Sequence, residues 1–380
     1  MAGEALLADR IFDGYRMHRQ SAVLVENGRI SGVAPQANLP EGYRCKTLPF
    51  GALLVPGFID VQVNGGGGVL LNDQPTADGM RAIARAHRQF GTTGCLPTLI
   101  TDTREAVQAA IAAARTAAGH DGILGLHLEG PFINPARAGI HPPERIATAA
   151  LADLEWLREF SACGAPLITL APECVPEGFI KALASAGIVV AAGHTEASFT
   201  VMDRAIAEGL RGVTHLHNAM SPMLAREPGV VGAAFSHARL FTSLIVDGIH
   251  VDAAVVRASF AAVGAERILL ITDAMPTIGT TLDEFKLMGR SIKLRNGRLT
   301  SEAGTLAGAH LDMACAVRTA VECAAVPLED ALRCASLTPA RFLGLDPERG
   351  TLLPGAHADI VALDSDLRVL NTWVAGVAAT

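Results

Sequence analysis

The sequence predicts an α/β protein: a (β/α)8 TIM-like barrel carrying a small discontinuous β-sandwich domain built from both chain ends. Three observations carry this expectation. Between about residues 53 and 273, a short apolar, β-branched run, a polar break and an alanine-rich amphipathic stretch recur. Strands alternating with helical stretches imply βαβ units and a parallel sheet. Eight such runs are present, the number that closes a barrel. The two ends lack this rhythm and show short alternating runs punctuated by turn residues.

The eight runs are residues 57–63, 93–99, 123–129, 167–171, 188–194, 213–217, 241–247 and 268–273, with helical candidates at 78–90, 103–118, 149–163 and 198–208. At the start, residues 6–33 alternate around the turn signal Glu26-Asn27-Gly28-Arg29. At the end, residues 350–375 behave alike, with 358–363 as their clearest strand. The two ends are expected to pair, so that residues 1–53 and 350–380 form the small β-domain and 54–349 the barrel inserted within it. The glycine run at 65–68 lacks the Gly-Lys-Ser/Thr ending of a phosphate loop and reads as a tight turn.

With 380 residues, half of them hydrophobic, the chain can bury a large core. Its 31 basic and 38 acidic residues give a formal charge of −7, which argues against a nucleic-acid binder. An anionic ligand would therefore need a local basic pocket. Seven cysteines stand singly with no Cys-x-x-Cys pair, as in a protein with reduced thiols. The start has no basic, apolar signal segment, and no stretch approaches the apolar length of a membrane span. A cytoplasmic protein that binds neither nucleic acid nor membrane is expected.

A (β/α)8 barrel carries its chemistry at the C-terminal strand ends. Gln62 and Asn64 end the first run, Glu129 the third, His194 the fifth, His215 and His217 the sixth, and Asp273 the eighth. A lone buried histidine is most often satisfied by a hydrogen bond, and a lone strand-end carboxylate is most often a cap. Their convergence on one rim points to a metal. Glu129, His194 and His215 offer one carboxylate oxygen and two imidazole nitrogens, the three-ligand pattern of a catalytic zinc site with one open position. Such an ion acidifies water toward a pKa of about 7 and polarises a carbonyl. Asp273 then serves as general base and afterwards returns the proton. His217, two residues past His215 on the same strand face, is assigned to packing or to support of a ligand, and His127 to the barrel interior rather than to the metal.

The local strings around these residues resemble a known family. Pro56-Gly57-Phe58-Ile59-Asp60 looks like the amidohydrolase superfamily. His127-Leu128-Glu129-Gly130-Pro131-Phe132, Gly193-His194-Thr195, Thr214-His215-Leu216-His217-Asn218-Ala219-Met220, Arg226-Glu227-Pro228-Gly229, Asp247-Gly248-Ile249-His250, Thr272-Asp273-Ala274 and Gly304-Thr305-Leu306-Ala307-Gly308 together resemble the N-acetylglucosamine-6-phosphate deacetylase family, in order and over nearly the whole chain. The superfamily usually carries His-x-His after its first strand. Here Gln62 and Asn64 stand at those positions as vestigial metal sites. Neutral amides are poor zinc ligands, so one metal rather than two is expected.

The resemblance implies hydrolysis of the acetamide of N-acetyl-D-glucosamine 6-phosphate to D-glucosamine 6-phosphate and acetate. It implies one divalent metal per subunit, zinc first, with iron(II) or another divalent ion as alternatives. His141 would contact the sugar and the acetyl carbonyl; Ile140 and the loop of Leu306, Ala307 and Gly308 would line the pocket. The phosphate would meet Arg226, His250 and the main chain of Asn218 and Ala219. In that family the arginine and histidine reach across from a neighbouring subunit, which implies a homodimer. Read alone, Arg226-Glu227 is rather a helix-start ion pair and His250 a strand-end bystander. Alternatives are an N-acetylgalactosamine-6-phosphate deacetylase, a ring-amide amidohydrolase, and a catalytically inactive barrel kept as a binding module. The four lysines, Lys46, Lys181, Lys286 and Lys293, lie at no assigned strand end, which weighs against two-metal relatives bridged by a modified lysine.

Overall fold

A computed structural model describes residues 3–379. Eight parallel strands stand side by side in chain order: Phe58–Val63, Thr92–Ile100, His127–Glu129, Leu167–Leu170, Val189–Ala192, Gly212–Val213, Phe241–Ile245 and Ile268–Ile271. They are called the first to eighth barrel strands below. The ring closes where the first meets the eighth. Val63 bridges Ala274 in parallel, and the N–H groups of Asp273 and Asn64 donate to Gln62 O (3.0 Å) and Ala274 O (2.9 Å). Runs such as Leu167–Leu170 and Ile268–Ile271 are buried throughout and almost wholly apolar because both faces of a barrel strand are covered.

All eight expected strands are present, although the third and sixth are short. Three expected helices form as Ala77–Arg88, Arg104–Ala117 and Phe199–Glu208. Thr76, Thr103 and Ser198 cap their first turns, each side chain accepting a backbone N–H. The expected helix at 149–163 breaks into the short turns Leu151–Asp153, Leu154–Leu157 and Arg158–Ala162. The buried residues toward its end, Leu157, Phe160 and Cys163, stand three apart. That period suits a 3-10 turn, in which side chains i and i+3 eclipse.

The end domain is one continuous sheet. Glu4–Phe12, Met17–Glu26, Arg29–Pro35 and Arg44–Thr47 from the start join Ile360–Leu363, Val369–Val374 and Val377–Ala378 from the tail. Leu53–Pro56 is the seam, pairing with Arg10 and Ile11 on one side and Ile360–Leu363 on the other. The end sheet therefore runs three residues past residue 53. Leu6, Ile11, Val23, Leu54, Ile360 and Trp373 meet in its core. The Asn27-Gly28 turn has φ of +50° and +75°, as a two-residue hairpin loop requires.

One element was not expected from the sequence. After the eighth strand, Glu284–Leu287, Arg290–Arg295 and Arg298–Ser301 form a three-stranded antiparallel sheet. Its Leu287, Ile292 and Leu299 pack on Ile100, Ile140 and Met275 beside the barrel mouth. Among the described residues, no helix is long and apolar enough to cross a membrane.

Candidate active site

Glu129 ends the third strand, while His194, His215 and Asp273 each lie two residues beyond the fifth, sixth and eighth. Those three residues have φ of +48°, +36° and +51°. Non-glycine residues rarely adopt this left-handed backbone, and it concentrates at functional sites held by their surroundings. Here it turns the chain sharply at the strand end. Gly193 makes room for this turn: a Cβ there would stand 2.6 Å from Thr169 Cγ2.

The three expected donors meet. Glu129 Oε1 lies 3.2 Å from His194 Nε2 and 2.9 Å from His215 Nε2, and the two nitrogens are 3.2 Å apart. All three residues are buried. The other ring nitrogens face backbone acceptors: His194 Nδ1 is 2.8 Å from Arg137 O and His215 Nδ1 is 3.2 Å from Asn218 O. Each Nδ1 thus carries the proton and donates it. Both Nε2 lone pairs then converge on the same point as the carboxylate oxygen, with no donor between them. Metal-binding histidines are oriented in this manner by the acceptor on their second nitrogen.

The electrostatics agree. Burial disfavours the Glu129 carboxylate, yet its contacts with His194 and His215 outweigh that and hold its pKa well below the usual range. Burial also opposes a charged His215, but the Glu129 hydrogen bond and charge raise its pKa above normal. The cluster favours positive charge between its donor atoms, and a divalent cation fits that donor set.

His141 belongs to the same cluster, with donor atoms of Glu129, His141 and His194 all within 4.8 Å of one another. Its chemistry differs. The Thr101 N–H donates to His141 Nδ1 (3.4 Å), and Thr101 Oγ1 is 2.8 Å from the same nitrogen. Nδ1 is therefore the acceptor and Nε2 carries the proton, 3.8 Å from Glu129 Oε2. Burial and then His194 push its pKa down to about 3, so the ring is neutral. A neutral imidazole with a free Nε2–H is a hydrogen-bond donor.

Gln62 and Asn64 act as donors too. Gln62 Nε2 bridges Glu129 Oε1 (3.0 Å) and Asp273 Oδ1 (3.2 Å), and Asn64 Nδ2 donates to Asp273 Oδ1 at 2.6 Å. Two amides thus hold one oxygen of Asp273 and leave Oδ2 without a donor from either. Burial, then the Glu129 charge, raise the Asp273 pKa to about 6. Such a carboxyl can take and return a proton near neutrality.

A cavity of about 380 Å³ opens over Glu129, His141, His194, His215 and Asp273, with Asn64 in its wall. A profile of the amidohydrolase family matches residues 53–379. The chain belongs to the amidohydrolase family. Among its relatives, the N-acetylgalactosamine-6-phosphate deacetylase of Shewanella sp. (strain ANA-3) is 43% identical over 85% of this chain and 82% of that one. The N-acetylglucosamine-6-phosphate deacetylase of Haemophilus influenzae is 33% identical over 98% of both. The crystal structure of the Pasteurella multocida N-acetylglucosamine-6-phosphate deacetylase superposes with a TM-score of 0.95 at 32% identity, covering 99% of each chain. A Mycobacterium smegmatis mutant enzyme, solved in complex with N-acetyl-D-glucosamine-6-phosphate, gives 0.92 at 32% identity over all of both chains.

Of the other residues singled out in the sequence of this amidohydrolase, Ile140, Asn218, Ala219, His250, Leu306 and Gly308 line the cavity. Gly308 brings its loop across Asp273: a Cβ on it would lie 2.7 Å from Asp273 O. Four expectations need correction. Ala307 is absent from the wall, being fully buried against the inserted sheet. His250 lines the cavity of its own chain rather than standing free to reach another, and Asp247 Oδ2 holds its Nδ1 at 2.7 Å. The Asn218 N–H is committed to His215 O (2.9 Å) and is not free for an anion. His217 shares no strand face with His215, because the sixth strand ends at Val213. It turns outward to Ser259 Oγ (2.8 Å) and Phe235. Arg226 is exposed and outside the cavity. His127 is satisfied by Thr98 and Thr169 (3.2 and 2.8 Å), away from the donor cluster.

The sequence reading missed Ile100, Ala136, Arg137, Gly139, Ile245, Met275 and Thr305 in the wall. Ile100, Ile245 and Met275 carried a signal, since each ends or closely follows a barrel strand.

Beneath the site, Asp60 is fully buried and accepts from Thr272 Oγ1 (2.5 Å) and Gln62 N–H (3.2 Å). Burial raises its pKa from 3.8 to about 7. The folded state thus keeps a proton that the unfolded chain loses near pH 4. This contribution to stability is present below that pH and disappears as pH rises to about 7. Asp60→Asn removes the dependence: between pH 5 and 8 the wild-type Tm is expected to fall relative to the variant's. Parallel curves would show that Asp60 does not titrate there.

Proposed function

We propose that this amidohydrolase hydrolyses the acetamide of N-acetyl-D-glucosamine 6-phosphate to D-glucosamine 6-phosphate and acetate. The carrying observation is the convergence of Glu129, His194 and His215 on one point, with a proton-accepting Asp273 and a proton-donating His141 facing the same cavity. The full-length likeness to deacetylases of phosphorylated N-acetyl amino sugars supports the substrate.

Glu129, His194 and His215 would hold one divalent ion, zinc first and iron(II) as the alternative, since this ligand set suits either. When bound, that ion polarises the acetyl carbonyl and acidifies water. His141 Nε2–H donates to the carbonyl oxygen and stabilises the charge that develops there. Asp273 takes the proton from the attacking water and delivers it to the departing amine nitrogen, so the carboxylate is restored each cycle. Gln62 and Asn64 hold its Oδ1 throughout. Ile140, Leu306 and Gly308 would frame the sugar and acetyl group.

The phosphate needs cations. His250 and Ala219, both in the cavity wall, would meet it from within, and Arg226 would complete the pocket of a neighbouring copy in a homodimer. Arg226 has no ion-pair partner among the described residues. Arg226→Ala is expected to raise KM for the phosphorylated sugar about tenfold or more, the scale of one lost charge-assisted contact. An unchanged KM would remove Arg226 from the phosphate pocket. The seven cysteines form no disulfide, in keeping with a cytoplasmic protein.

A second reading, the galacto epimer as substrate, is favoured by the 43% identical Shewanella relative. A ring-amide substrate has less support, since no lysine lines the cavity, and an inactive barrel has none, since no donor is lost. Acetate release by the metal-loaded protein from both 6-phosphorylated sugars decides. Faster release from the gluco sugar supports the first reading, faster release from the galacto sugar the second, and none from either refutes both.

A further inference from the structure

One carboxylate near the cluster has no part in the chemistry above. Glu173 lies in the turn Pro172–Cys174 after the fourth barrel strand, an end that supplies nothing to the cavity. Its Oε1 accepts from Asn134 Nδ2 (2.9 Å) and the Glu196 N–H (2.6 Å), and its Oε2 from Thr195 Oγ1 (2.5 Å). Among the described residues it faces no cation within ion-pair distance, so these three donors satisfy its charge.

The partners lie in two different loops. Asn134 follows the third strand; Thr195 and Glu196 follow the fifth and adjoin His194. The same loops are joined at three further points. The Asn134 N–H donates to His194 O (2.8 Å), His194 Nδ1–H to Arg137 O (2.8 Å), and Arg137 Nε–H to Glu196 Oε1 (2.5 Å). His194 therefore sits in a seam whose acceptor, Arg137 O, comes from the opposite loop. Its left-handed backbone has to be held from outside. A slide of one loop against the other would draw Arg137 O away from Nδ1 and release both the tautomer and the aim of Nε2. Glu173 is the side chain that anchors both loops to a third, the turn that follows the fourth strand.

We propose that Glu173 is a positioning residue that clamps these two loops together and thereby sets His194 for metal binding. The proposal rests on the reading of His194 as a ligand. The partners that orient a ligating histidine typically contribute 10–100-fold in metal affinity.

The test measures the zinc Kd of the chelator-stripped full chain by competition with a chromophoric chelator, beside the Tm of the metal-free protein. Wild type, Glu173→Ala, Glu173→Gln and His194→Ala are compared. Glu173→Ala is expected to weaken zinc binding about 10–100-fold. Glu173→Gln keeps one accepting oxygen, so it should weaken binding only a few-fold with a nearly unchanged metal-free Tm. A lowered Tm with wild-type zinc affinity in Glu173→Ala would mean a merely structural carboxylate and overturn the proposal. If the alanine variant fails to fold, wild-type affinity in Glu173→Gln would overturn it equally. Wild-type affinity in His194→Ala would instead sink the ligand reading, so the two failures are distinguishable.

Discussion

Asp273→Asn is expected to bind its metal normally and to turn over substrate about 10³–10⁴-fold more slowly, near the upper range for one acid–base group. In the proposed mechanism both proton transfers pass through this side chain, so its loss would stop formation and collapse of the tetrahedral intermediate alike. The fold tolerates the change, because the amide oxygen of asparagine can still accept from Asn64 Nδ2 and Gln62 Nε2 at the Oδ1 position. Metal content is independent of the substitution, since Glu129, His194 and His215 approach one another to 2.9–3.2 Å without it. Elemental analysis with kcat on the same preparation reads both. Activity within tenfold of wild type would remove Asp273 as the base.

His215→Ala is the second large effect. On the proposed ligand set it deletes one of three ligands, and metal affinity should fall at least about a hundredfold, beyond what a supporting partner alone contributes. Turnover at trace metal disappears and returns only in part with excess metal. His141→Asn provides the contrast: metal stays, while kcat drops. Were His215→Ala to keep full metal and His141→Asn to lose it, the ligand set would be Glu129, His141 and His194, whose donor atoms also lie within 4.8 Å of one another. The Thr101 N–H on His141 Nδ1 argues against that outcome.

The inserted sheet at 284–301 shows that legible signals can be passed over. Met288-Gly289 and Asn296-Gly297 both have positive φ at two successive residues, and Asn-Gly is a strong hairpin signature. Ser291-Ile292-Lys293-Leu294 alternates as a strand should. The βα rhythm around it has no place for a hairpin at the barrel rim. Ala307 illustrates the opposite case, because nothing in Leu306-Ala307-Gly308 says which of the three faces the sugar. The packing of Ala307 under the insert decides it.

By itself the sequence determined the eight strands, their order and which residues stand at their C-terminal ends. Alternation and β-branching are local, and a closed parallel barrel brings those ends to one rim whatever the loops do. Glu129, His194, His215 and Asp273 were legible for that reason. Tertiary structure decided what each of them is chemically. A tautomer depends on which carbonyl lies against Nδ1, and Arg137 O and Asn218 O are set there by loops on either side of the rim. Gln62 and Asn64, read as empty metal positions, became donors to Asp273 because strands one and eight close the ring and bring them within 2.6–3.2 Å. Contacts of this kind join residues 209 to 211 positions apart in the chain, and only the closing of the barrel brings such partners together.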